Sequence, residues 1–109
     1  MELPLEVSVE DVKARIDAGE NLLLLDVRQL EEYEVCHMDN TVLLPMGMVD
    51  RNLSRLKDRE EAIIVICHHG IRSLNVAAWL RDSGVLRVQS MAGGVDAWSL
   101  RIDPRMPRY

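Results

Sequence analysis

The segment Cys67-His68-His69-Gly70-Ile71-Arg72-Ser73 carries the most reactive arrangement in the chain: a thiol, a glycine, and an arginine separated from the thiol by four residues. It leaves an apolar run that reads as a buried strand and enters a stretch that reads as a helix. A loop in that position can aim its backbone N–H groups at one point, and the helix adds unpaired N–H donors and the positive end of its dipole. A thiol in such a cradle is favoured as the thiolate, the form that acts as nucleophile, with no adjacent histidine required as base. Gly70 can take backbone angles closed to other residues and keeps a side chain out of the cradle. Arg72 adds a permanent positive charge, suited either to an oxyanion substrate or to a carboxylate that orders the loop. Cys67 is therefore the candidate nucleophile. His68, His69, Gly70, Ile71 and Arg72 are the candidate substrate-binding wall, with Ser73 supporting it.

The remaining reactive side chains need separate readings. His68 and His69 are read as loop wall and partner surface; adjacent residues in a tight loop are not expected to aim both rings at one ion, so no metal site is expected. Cys36, the other cysteine in the sequence, is read as a packing residue, with a resolving thiol as the alternative. Asp26, which ends a second buried run, is read as structural support for the loop, accepting from its N–H groups or pairing with Arg28 or Arg72. Gly93-Gly94 is too short and too late in the chain for a dinucleotide fingerprint, so no nucleotide cofactor is expected.

The elements that must position these groups follow from pattern. Ser8 and Asp11 precede and open an amphipathic helix that Gly19 would end, after a short strand at residues 5–7. Residues 22–26 and 62–67 are continuous apolar runs, as expected of strands buried on both faces, and residues 42–44, closed by Pro45, are a weaker copy. Residues 29–36, 52–57 and 73–82 read as helices, the last with Leu74, Ala77 and Ala78 on its inner face and Gly84 as its stop. Residues 87–91 give a last strand, Gly93 and Gly94 a tight turn, and residues 95–100 a closing helix. Trp79 and Trp98 are expected in the core. Strands alternating with helices predict an α/β fold: a mostly parallel sheet of about five strands with helices on both faces. Asp26 and Cys67 then fall at the C-terminal edge of the sheet, where open α/β sheets place their ligand crevice.

Composition narrows the partners. A formal charge of −5 lacks the basic footprint of nucleic-acid binding. The longest apolar runs are too short to span a bilayer, and the acidic start lacks the basic, apolar pattern of a signal peptide, so a cytoplasmic protein without membrane contact is expected. In a reducing compartment a lone structural disulfide is disfavoured against a reactive thiol.

The loop, with Gly before its last variable position and Ser after Arg72, resembles the active-site loop of the rhodanese-like sulfurtransferase family. Asp26-Val27-Arg28 followed by Glu32-Tyr33 and His37 resembles that family's first motif, and Gly93-Gly94-Val95-Asp96-Ala97-Trp98 its C-terminal motif. The resemblance covers nearly the whole chain and implies one rhodanese-like domain over residues 1–109. It implies that Cys67 carries a persulfide, that the backbone from His68 to Arg72 cradles the terminal sulfur, and that Asp26 and Arg28 support the site. The implied activity moves sulfane sulfur from thiosulfate or a persulfide donor to cyanide or a thiol. Alternatives are a sulfur relay between protein partners, a non-catalytic binding module, and a phosphatase or arsenate reductase. The related cell-cycle phosphatases space Cys and Arg by five residues rather than four, so the smaller loop favours sulfur. Cys36 stands where the family has a glycine, and the tail from Ile102 to Tyr109 reads as a surface strap or partner contact.

Overall fold

The computed structural model describes residues 3–109. Its elements are β1 (Glu6–Val7), α1 (Val9–Asp17), β2 (Leu22–Asp26), α2 (Leu30–Val35), β3 (Thr41–Leu43), α3 (Leu53–Lys57), β4 (Ala62–Ile66), α4 (Ile71–Asp82), β5 (Val88–Met91) and α5 (Gly94–Arg101). Short 3-10 turns at Met46–Met48 and Asp50–Asn52 link β3 to α3. Local chemistry sets several boundaries. The Ser8 hydroxyl accepts from Asp11 N at 3.0 Å and caps α1. Past the other end of that helix, Gly19 takes φ +76° and turns the chain toward β2.

All strand pairs are parallel, in the order β1-β5-β4-β2-β3. The predicted α/β class and five-stranded parallel sheet are both present. After β2 the chain crosses to one side of the sheet, through α2 to β3; after β4 it crosses to the other, through α4 to β5. The reversal lies between the adjacent strands β2 and β4, where a crevice must open at their C-terminal ends. Asp26 closes β2 opposite Ile66, the last residue of β4.

The period-2 alternation of buried strands divides the core. Leu24, Ile64 and Ile66 face α1 and α5, where they meet Val9, Val12, Val95 and Trp98. Leu23, Leu25, Ile63 and Val65 face α3 and α4, meeting Leu56, Val76, Ala77 and Leu80. Every side chain of β4 is buried, and each of its Ile and Val residues contributes about 1.5–3 kcal/mol through burial. That makes β4 a rigid mount for the residue that follows it.

Three expectations on α4 need correction. The helix begins at Ile71, two residues before the predicted start, and its buried face is Ser73, Val76, Ala77 and Leu80 rather than Leu74, Ala77 and Ala78. Gly70 caps it in the left-handed conformation without a side-chain hydrogen bond, so no Ser, Thr, Asp or Asn marks the start. Trp79 is not core: it is 41 % exposed, beside the inward stripe, and forms a shallow apolar hollow with Met46, Val49 and Val76. Trp98 is buried as expected. Among the described residues, no helix is long and apolar enough to cross a membrane.

The turn into α5 presses against the end of β4. Val95 N donates to Cys67 O at 2.9 Å and Asp96 N to His68 O at 3.1 Å. A Cβ on Gly94, which already has φ +60°, would overlap both of those carbonyls. Gly94→Ala is therefore expected to cost about 3 kcal/mol or more, through left-handed backbone strain and forced separation of α5 from the loop. At the scale of a domain this size, that lowers Tm by more than about 10 °C. Gly47→Ala, where an added Cβ meets nothing within 4 Å, is the control and should change stability by less than about 0.5 kcal/mol. Thermal melts of the two variants check the contrast.

Candidate active site

Cys67 is the first residue past β4 and is 1 % exposed. Its Sγ accepts hydrogen bonds from Gly70 N at 3.1 Å and Ser73 N at 3.2 Å, and its thiol donates to Ser73 Oγ at 3.3 Å. The loop thus curls around the sulfur, with one amide from the left-handed cap and one from the first turn of α4. Both place partial positive charge at the sulfur and favour negative charge there. Gly70 has φ +99°, and a Cβ on it would lie 2.9 Å from Gly93 N, so conformation and space both require glycine. The Ser73 hydroxyl is held beneath the sulfur by Gly70 O at 3.2 Å and by the Ser90 hydroxyl of β5 at 2.7 Å.

The predicted support from β2 is an ion pair with no exposure. Arg28 Nη2 lies 2.7 Å from Asp26 Oδ2, Arg28 Nε 2.9 Å from Oδ1, and both side chains are fully buried. Arg28 also donates to the carbonyls of Glu32 and Cys36 and to the Tyr109 hydroxyl, which satisfies the guanidinium around its edge. Burial works against its charge, but the hydrogen bonds it donates to Asp26 and Tyr109 outweigh that and hold the guanidinium above its ordinary basicity.

Arg72 is gripped by Glu32. Its Nη1 and Nη2 each lie 2.8 Å from one Glu32 carboxylate oxygen, a bidentate pair across the crevice. Of the two readings open for Arg72, the carboxylate partner is in place. Glu32 also caps its own helix, accepting from Gln29 N at 3.1 Å, and accepts from the Tyr109 hydroxyl at 2.8 Å. Arg72 leads the forces that pull the Glu32 carboxyl down to about 2, against the opposing effect of burial and with help from Gln29 and Tyr109. Glu32 in turn raises the basicity of Arg72.

The wall residues divide. His68 is sandwiched between His69 and Tyr109, with centroids 3.8 Å apart on each side. Burial first, then the neighbouring His69, lower its pKa and keep the ring neutral. Its Nε2 is buried without a hydrogen-bond partner among the described residues. His69 is exposed, 3.9 Å from Asp96 Oδ2. Ile71 is 73 % exposed, so only its backbone faces the cradle. The stacking brings ligand atoms of His68, His69 and Asp96 within 4.8 Å of one another, closer than adjacent loop histidines were expected to come. Arg108 Nε also donates to Asp96 Oδ1, at 2.8 Å.

Cys36 and Cys67 are both free and buried, and Cys36 packs in the core face beside Met38. His37 stacks on Tyr33 at 4.0 Å and contacts its carbonyl rather than the loop. Three contributors were not assigned from sequence: Glu32, Ser90 and Tyr109. The Gln29-x-x-Glu32 spacing is a capping signal that could have flagged Glu32. Ser90 and Tyr109 reach the site only through the fold.

A family model, the rhodanese-like domain, matches residues 8–101. YtwF of Bacillus subtilis, provisionally named a sulfurtransferase, is 33% identical over 100 residues, covering 92% of this chain and 95% of that protein. YrkF of the same organism, provisionally named a sulfur carrier protein, is 36% identical over 94 residues, 86% of this chain and 50% of that one. The chain thus spans about half of YrkF, and it covers 26% of the rice adenylyltransferase and sulfurtransferase MOCS3, at 30% identity over 94% of its own length. Among solved structures, the rhodanese-like domain of the Anabaena protein Alr3790 superposes with a TM-score of 0.77 at 26% identity, over 98% of this chain and 87% of that one. The cradle geometry, the three motifs and these relatives agree, and the chain belongs to the rhodanese-like domain family.

Proposed function

We propose that this protein is a sulfurtransferase that carries sulfane sulfur as a persulfide on Cys67. The observation that carries the reading is the sulfur held by two backbone amides at the N-terminal end of α4, in a loop with only four residues between Cys67 and Arg72. A Cys67 thiolate attacks the outer sulfur of a donor such as thiosulfate. The new S–S bond forms as the old one breaks, and sulfite leaves with the electron pair. Cyanide or a thiolate then attacks the outer sulfur of the persulfide, and Cys67 departs as thiolate. The first turn of a helix leaves N–H groups without intrahelical partners; in α4 those of Ile71 and Arg72 are suited to the terminal sulfur, with His68 and His69 as walls.

In this reading Glu32 and Arg72 act as a clamp. The pair neutralises Arg72, so attraction for an anionic donor comes mainly from backbone amides and the helix end. Asp26 and Arg28 fix the crevice from β2, and Ser73 steadies the sulfur from below. A relay between protein partners is the second reading. It is favoured by the exposed Ile71, Met46 and Met48 and by Trp79, which give an apolar contact area on the loop and the segment after β3. The family relationship to YrkF points the same way.

Initial rates with varied thiosulfate and cyanide should give parallel double-reciprocal lines, and Cys67→Ser should abolish turnover with its melting curve intact. Cys67-dependent turnover of an aryl phosphate would instead favour the phosphatase alternative. The clamp makes a separate prediction in pH. The Glu32 carboxyl lies at about 2, below its ordinary 4.5, so it stabilises the fold fully above 4.5, and that stabilisation disappears as pH falls toward 2. Glu32→Gln should therefore destabilise the protein near neutrality, with the gap from wild type closing as pH drops below 4.5. Urea unfolding across that range measures it, and a gap independent of pH contradicts the clamp.

A further inference from the structure

The tail beyond α5 crosses the active site. Met106 is buried in the core and its carbonyl accepts from Ser99 Oγ at 2.6 Å, while Arg108 Nε donates to Asp96 Oδ1 at 2.8 Å. These anchors lay Tyr109 on the loop. Its ring stacks on His68 with centroids 3.8 Å apart and planes 6° from parallel. Its hydroxyl donates to Glu32 Oε2 at 2.8 Å and accepts from Arg28 Nη1 at 2.9 Å. His68 follows Cys67 directly, and Glu32 grips Arg72, so one side chain is tied to both ends of the cradle. Cys67, the neighbour of His68, is 1 % exposed. The closed arrangement also leaves His68 Nε2 buried and, among the described residues, unpartnered, a polar atom that water would satisfy if the tail lifted.

We propose that Tyr109 is a specificity-determining residue, a cover that decides by size which sulfur donors and acceptors reach Cys67. The proposal rests on the sulfur-transfer reading for the identity of its substrates, but not for access to the thiol. The Tyr109 side chain itself is held by two short hydrogen bonds, the stack on His68 and the Arg28 guanidinium 5.7 Å from its ring centroid, contacts weak enough to exchange with water and with an arriving partner. Small reagents pass at its edge, and bulky ones wait for it to lift.

The test is the rate of Cys67 alkylation in the intact protein, located by peptide mapping, with iodoacetamide as the small probe and a polyethylene-glycol maleimide as the bulky one. Reactivity toward a reagent that needs the open form scales with the open fraction, so Tyr109→Ala should speed the bulky reagent about tenfold or more and iodoacetamide less than about threefold. Tyr109→Phe keeps the stack and loses both hydrogen bonds, and should speed the bulky reagent alone, by about threefold. It also carries the test if the alanine variant is poorly folded. Equal factors for both reagents, as a changed thiolate fraction would give, or no acceleration by either substitution, overturn the proposal. Alkylation needs no sulfur transfer, so a protein that never forms a persulfide can still support the cover, and size-independent alkylation sinks it even where persulfide forms.

Discussion

Two amide hydrogens on one sulfur organise this molecule. For Gly70 N and Ser73 N to meet at Cys67 Sγ, β4 must stop at Ile66, the chain must turn through a left-handed Gly70, and α4 must begin at once. The fold supplies each condition from a different direction. The sheet buries β4 on both faces and fixes where it ends. The turn at Gly93 and Gly94 brings the first amides of α5 onto the carbonyls of Cys67 and His68, so the loop's oxygens are bound on one side while its N–H groups are presented on the other. This explains why the glycine pair and the cysteine loop belong to one device although residues 74–92 separate them in sequence.

A second layer is electrostatic. Asp26 and Arg28 form a fully buried pair, an arrangement whose desolvation offsets much of its attraction and whose value lies in fixing geometry. From Arg28 the network runs through the Tyr109 hydroxyl to Glu32 and on to Arg72. Every cation in that chain has an anion or a dipole to hold it. The cradle is therefore left with backbone donors as its main attraction for negative charge, and these impose position more than they impose identity. A terminal sulfur, small and polarisable, suits such a site, and so does a loop with only four residues between Cys67 and Arg72.

What the sequence discloses depends on distance along the chain. β2 and β4 are legible because strands buried on both faces are written as unbroken apolar runs, and the cradle because its residues are consecutive. The start of α4 is not, since Gly70 caps it by conformation rather than by a side-chain oxygen. Trp79 misleads because a large aromatic in a helix normally marks the core, and here it sits one step around from Leu80. Arg72 could be assigned a carboxylate partner in kind but not by name, because Glu32 lies 40 residues away. Tyr109 has no local signal: its role exists only once the tail has folded back over His68.

Whether Cys67 accepts sulfur is read from the mass of the intact protein after incubation with a sulfane-sulfur donor. Thiosulfate and a low-molecular-weight persulfide would be tried in turn, on wild type and Cys67→Ser, before and after cyanide. A gain of about 32 Da on wild type alone, removed by cyanide, is the result this account predicts. A gain that persists in Cys67→Ser, or none from either donor while the thiol remains open to alkylation, would contradict it.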